Sequence, residues 1–154
     1  MILSSLFFVC LLVCIDQYSK LVVNAYISYG DKLEIIPKFF YLTNVRNTGA
    51  AWSMFEGQQL LFIAITIVAI IFFIYLLYKE RNKALLTRIC YLLIISGAIG
   101  NLIDRVTNSY VVDFLDFYIF GYDFPVFNVA DMFLTIGVII LIITILLENK
   151  HAKN

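Results

Sequence analysis

Four stretches of the chain carry no charged residue: 1–15, 60–78, 89–103 and 132–147. The second is 19 residues long, close to the roughly 20 a helix needs to cross a bilayer. The other three fall slightly short alone, and each extends. The first continues through Asp16 and Lys20 to about Tyr26. The third starts near Ala84, with Arg88 snorkelling to the interface. The fourth starts at Asp131. In hydrocarbon, backbone groups must be satisfied within the segment, so helices are the default. The pattern predicts four transmembrane helices, over about 1–26, 60–78, 84–103 and 131–147. They belong to a single membrane domain covering 1–154.

Two segments, about 27–59 and 104–130, separate these helices on one side. In the first, Leu33-Glu34-Ile35-Ile36 and Phe39-Phe40-Tyr41-Leu42 are rich in aromatic and β-branched residues, which predicts short strands divided by Pro37. Asn47-Thr48-Gly49 is a turn signal. A small sheet resting on the membrane surface is expected. The second segment shows no long helical pattern. A loop of that length is usually functional or disordered, and its aromatic content argues against disorder.

Composition agrees with the pattern. Hydrophobic residues make up 62% and charged residues 14%, against about half and about a quarter in soluble domains. Lys plus Arg and Asp plus Glu number 11 each, so no net charge argues for a nucleic-acid partner. The charges are nonetheless unevenly placed. Lys79, Arg81, Lys83, Arg88, Lys150 and Lys153 face only Glu80 and Glu148 on one side. By the positive-inside rule that side is cytoplasmic. Both termini then lie in the cytoplasm and the two intervening segments face outward. A cleaved signal peptide would need a basic n-region and a small-residue cleavage site; residues 1–15 contain no Lys or Arg. Cys10, Cys14 and Cys90 all lie in apolar segments and read as small buried hydrophobes.

The polar residues inside apolar context are the candidates for chemistry. Asp16 and Lys20 lie four apart, hence on one helix face. They read as a structural ion pair or, being ionisable at membrane depth, as part of a functional site. A Ser19–Lys20 dyad is geometrically poor, because adjacent helix residues point about 100° apart. Gly97 and Gly100 permit close helix approach. Asn101, Asp104 and Arg105 share one face at the end of the same helix, reaching the outer boundary level with Asp16 and Lys20. Asp113 sits in the apolar run Val111-Val112-Asp113-Phe114. Asp131 opens the last helix and reads as a helix cap or as a partner to Asp113. Two carboxylates sharing one site keep one of them protonated near neutrality. The ionised one then takes a proton from water and the other donates to a carbonyl oxygen. The single His, His151, lies in the tail, which removes His-based triads and zinc sites of the HExxH kind.

At these motifs the chain resembles the bacterial lipoprotein signal peptidases, also called type II signal peptidases. The resemblance rests on Asp16-Gln17-Tyr18-Ser19-Lys20, Arg46-Asn47-Thr48-Gly49-Ala50-Ala51-Trp52 and Gly97-Ala98-Ile99-Gly100-Asn101-Leu102-Ile103-Asp104-Arg105. It continues in Val111-Val112-Asp113-Phe114 and Phe127-Asn128-Val129-Ala130-Asp131. Ser96 stands where the family often has Gly, and Trp52 where Phe is common. The resemblance implies an all-α membrane protein with a small extracytoplasmic sheet and a loop over the active site. It implies an aspartic endopeptidase of the cytoplasmic membrane that cleaves prolipoproteins before a diacylglyceryl-modified cysteine. Asp113 and Asp131 match its catalytic pair. Asn47, Asn101, Asp104, Arg105 and Asn128 match positions that line or support the site, and Asp16 and Lys20 match positions near it. The expected partners are lipid-modified prolipoproteins and the phospholipid bilayer. No cofactor or metal is expected, and a monomer is. The rival readings are a small ion-coupled transporter subunit, with Asp16, Lys20 and Asp104 on an ion path, a divalent-cation site from Asp113, Asp116, Asp123 and Asp131, and a non-catalytic scaffold.

Overall fold

A computed structural model describes residues 2–49 and 57–151. Residues 50–52 of the second motif and Glu56 lie outside them. The described residues form helices α1 (Ile2–Tyr26), α2 (Gln59–Lys79), α3 (Leu85–Asn108) and α4 (Val129–His151). They also form strands β1 (Lys32–Ile36), β2 (Phe40–Asn47), β3 (Val111–Ile119) and β4 (Tyr122–Asp123). All four helices are long and apolar enough to cross a membrane.

α3 is the centre of the bundle, and α1, α2 and α4 all pack on it. Its small residues set the spacing. A side chain on Gly97 would collide with the Ala130 carbonyl of α4, and a Cβ on Gly100 would stand 2.5 Å from Asp16 Oδ2 of α1. Without a hydrophobic drive between helices in lipid, such close packing and polar contacts hold a bundle together. Cys90 is buried, but Cys10 and Cys14 are exposed on α1, correcting the reading of all three as buried. They face outward, where a bilayer replaces protein as the apolar surround.

The four strands form an antiparallel sheet in the order β1-β2-β3-β4 at one end of the bundle. β2 and β3 pair with Val45 opposite Asp113 and Asn47 opposite Val111, with a register irregularity between Leu42 and Val45. The sheet is tied to α1 by Asn44, whose side-chain amide donates to the Ile27 carbonyl at 2.8 Å. Val23 of α1 and Ile27 just beyond its end form a small core with Phe114 of β3, flanked by Leu42, Leu115 and Val129.

Two departures from the sequence pattern have physical reasons. α3 runs to Asn108 rather than 103, because the charge read as its end, Asp104, is buried and paired instead of solvated. The segment expected as a loop over the site contains β3. Residues 111–114 are buried on both faces of the strand, so the period-2 alternation that marks a half-buried strand is missing there.

Candidate active site

The end of the bundle beneath the sheet holds one connected polar network. Its base is an ion cluster sealed from solvent. Lys20 Nζ donates to Asp16 Oδ2 at 2.9 Å and lies 2.9 Å from Asp104 Oδ2. All three side chains are almost fully buried. One ammonium against two carboxylates leaves lone pairs to satisfy, and neighbouring N–H groups satisfy them. Ala130 N–H in the first turn of α4 donates to Asp16 Oδ1 at 2.9 Å. Gln17 Nε2 donates to Asp104 Oδ1 at 3.0 Å, to Asp16 Oδ2 and to the Gly100 carbonyl. Val112 N–H donates to Asp104 Oδ2 at 3.3 Å, latching the turn from α3 into β3. The cluster therefore joins α1, α3, α4 and β3 at one point.

Asn101 relays this arrangement upward. Lys20 Nζ donates to Asn101 Oδ1 at 3.1 Å. An ammonium has donors only, so it fixes which way the amide faces. The Asn101 NH2 is thereby turned to Asp131 Oδ1, at 2.7 Å. Asn128 donates to the same Asn101 oxygen at 3.2 Å and to Asp113 Oδ1 at 2.6 Å. Asn47 Nδ2 donates to Asp113 Oδ2 at 2.8 Å.

Local structure brings Asp113 and Asp131 to the same place. β3 pairs with a short return of the chain: Leu115 N–H and Phe127 C=O bond at 2.8 Å, and Phe127 N–H returns to the Leu115 carbonyl at 3.1 Å. That pins Asn128 beside Asp113. Asn128 then caps α4. Its Oδ1 accepts from Asp131 N–H at 3.0 Å, while Asp131 Oδ2 accepts from Asn128 N–H at 3.1 Å. This is the reciprocal capping box, with Asn at the cap and Asp three residues on. Asp131 is thus both a helix cap and a partner of Asp113, so the two readings of the residue coincide.

Each of the four carboxylate oxygens accepts a hydrogen bond from a neutral N–H, and among the described residues none is ion-paired with a basic side chain. Asp113 is 3% exposed. Burial, and then the nearby charge of Asp131, push its carboxyl up to about 7, against the opposing hydrogen bonds from Asn47 and Asn128. Both carboxylates line one cavity of about 470 Å3, together with Asn47, Asn101 and Arg105. The Arg105 guanidinium lies over the Phe62 ring of α2, 5.1 Å from its centroid, and its buried Nε has no hydrogen-bond partner among the described residues.

The structure brings together the nine residues that the resemblance matched to the site or its surroundings. Two participants carried no sequence signal of their own. Gln17 is a polar residue beside a charged one on a helix, which is unremarkable in sequence; only its contact with α3 makes it a bridge. Phe62 is one of several aromatics in the most apolar of the four helices. Asp116 and Asp123 stand apart from the pair: Asp116 pairs with Lys32 at 2.5 Å, and Asp123 is exposed on β4. Among the described residues, no three His, Cys, Asp or Glu side chains converge in a way that could hold a metal ion.

Fold and site together define a four-helix membrane protein with two carboxylates lining one cavity at one end of its bundle. The profile of the signal peptidase II family matches residues 8–147. The chain belongs to that family. It is 40% identical over 151 residues to a lipoprotein signal peptidase of Staphylococcus aureus, covering 98% of this chain and 93% of that protein. The lipoprotein signal peptidase of Staphylococcus aureus strain MRSA252 is 41% identical over 150 residues, with 97% and 92% covered. A solved structure described as a bacterial membrane enzyme at 2.3 Å resolution superimposes with a TM-score of 0.91 at 41% identity, covering 98% of this chain and 92% of that one.

Proposed function

We propose that this chain is a bacterial membrane aspartic endopeptidase that removes signal peptides from lipid-modified prolipoproteins, cutting before the lipidated cysteine. The observation that carries the reading is the pair itself: Asp113 from a strand and Asp131 from a helix cap line one cavity, linked through Asn101 and Asn128. Asp113 and Asp131 share one proton. The ionised carboxylate draws a proton from water as the water attacks the scissile carbonyl. The protonated one donates to the oxygen that becomes negative; as the C–N bond breaks, the proton taken from water goes to the leaving nitrogen, and the hydroxyl of the intermediate returns its proton to the pair as the carbonyl re-forms. Asn47, Asn101 and Asn128 hold the carboxylates without neutralising them, whereas a paired cation would keep both ionised. The Arg105 guanidinium lines the same cavity and is placed to donate to a substrate carbonyl. The pair titrates as a unit, so base and acid are roles of the dyad rather than of one residue.

The membrane placement follows the basic residues. The loop after α2 and the C-terminal tail lie in the cytoplasm, as do both termini, and the dyad opens at the outer face. The enzyme acts as a monomer. The transporter alternative has no support in the relatives, and the buried ionisable residues Asp16, Lys20 and Asp104 meet in one ion cluster rather than in a series along a crossing.

The test is cleavage of a diacylglyceryl-modified prolipoprotein by the chain reconstituted in liposomes. Wild type cleaves in excess chelator; Asp113→Asn and Asp131→Asn each insert normally and do not cleave. Near-normal processing by either variant, or loss of wild-type activity to chelator, would overturn the proposal.

A further inference from the structure

A second concavity, sharing no lining residue with the cavity of the pair, lies toward the opposite end of the bundle. α1 and α2 each pack on α3 rather than on one another, which leaves a groove between them with α3 as its floor. The groove has a volume of about 360 Å3. Its floor is Arg88, Leu92, Ile95 and Ile99, and its walls include Leu6 of α1 and Leu77 of α2. The floor residues are spaced four, three and four apart, so they form one stripe along α3. From Arg88 to Ile99 that stripe is about 16 Å long at the helical rise, about half of a ~30 Å hydrocarbon core. The groove is therefore one leaflet deep.

Arg88 stands at its end. Among the described residues it has no carboxylate partner, while Lys83 nearby is held by Glu148 at 2.9 Å and Glu80 at 3.6 Å. Arg81 lies over the Tyr78 ring at 5.1 Å, at the same rim. An unpaired guanidinium at headgroup level, closing an apolar groove as deep as one leaflet, matches an anion joined to an acyl chain. We propose that this groove binds one anionic phospholipid from the leaflet opposite the carboxylate pair. The chain lies along Leu92, Ile95 and Ile99, and the phosphate pairs with Arg88. The lipid fills the gap that α1 and α2 leave and so braces them on α3.

The experiment is native mass spectrometry of the full chain, purified and stripped of lipid, then offered phosphatidylglycerol and phosphatidylcholine of matched acyl chains. Wild type retains phosphatidylglycerol about fivefold over phosphatidylcholine, the weight of one basic residue at an anionic surface. Arg88→Gln brings the ratio to parity with unchanged helicity by circular dichroism. Ile95→Trp, which fills the groove, lowers retention of both lipids. The proposal is overturned by equal retention of the two lipids in wild type, or by a preference that survives Arg88→Gln. A dimer that Ile95→Trp dissolves would assign the groove to a second copy of the chain and overturn it as well.

Discussion

α2 and α3 are both apolar helices of spanning length, yet they occupy opposite places. α2 is the more apolar, and none of its residues is buried within the protein. α3 carries Thr87, Ser96, Asn101 and Asp104, and half of its 24 residues are buried. In water the order would be reversed, because apolar surface is driven inward. In a bilayer, lipid receives Leu and Ile as well as another helix does, so apolar content sorts nothing. What draws a helix to the centre is what lipid cannot satisfy: small residues that let backbones touch, and polar groups that need partners. Of these polar residues, Asn101 and Asp104, with Arg105 beside them, build the candidate site. The centre of the bundle and the site are therefore products of the same sorting.

Substitutions that attack the polar centre should cost most. Lys20→Met leaves Asp16 and Asp104 buried without a cation, and breaking such a cluster is expected to cost about 3–5 kcal/mol. Titration of the purified protein with a denaturing detergent measures it; a cost under about 1 kcal/mol would mean that the cluster is not what seats α3. Gly100→Ala places a methyl against Asp16 and should cost about 1–3 kcal/mol by overpacking in the same titration. Unchanged stability would show that α1 yields freely there.

A smaller effect falls on acidity. The shared proton leaves the pair as pH rises past about 7, where burial and the Asp131 charge have placed the Asp113 carboxyl, so activity should decline on the alkaline side. Asn47 donates to that carboxylate and favours its charged form. Asn47→Ala should therefore hold the proton more tightly and move the alkaline limb to higher pH. A limb that stays in place, or moves down, in the pH profile of kcat/KM would remove Asn47 from the acidity of the pair. The smallest effect belongs to α2. Val68→Leu changes an exposed apolar residue for another, and stability should stay within about 0.5 kcal/mol of wild type. A larger loss would show that α2 is packed against something other than lipid.

Much of this was legible in the sequence, and the contrast between α2 and α3 explains why. Charge-free runs reveal spanning helices because the bilayer imposes one length and one polarity. Asp16, Lys20, Asn101, Asp104, Asp113 and Asp131 stood out because a polar group in apolar context needs a reason to be there. Three things did not show. The end of α3 was hidden, since a buried charge and a boundary charge look alike in one dimension. β3 was hidden because both of its faces are buried over 111–114, so no alternation marks it. The parts of Gln17 and Phe62 were hidden because each depends wholly on a neighbour from another helix: Gln17 on Asp104, and Phe62 beneath Arg105.

In the proposed mechanism Asp113 and Asp131 act as one unit. Single-turnover cleavage by Asp113→Asn, Asp131→Asn and the double variant tests it most directly. Residues that work as a unit are strongly non-additive. Each single variant should lose as much rate as the double. Losses that multiply in the double variant, or substantial cleavage by either single one, would contradict it.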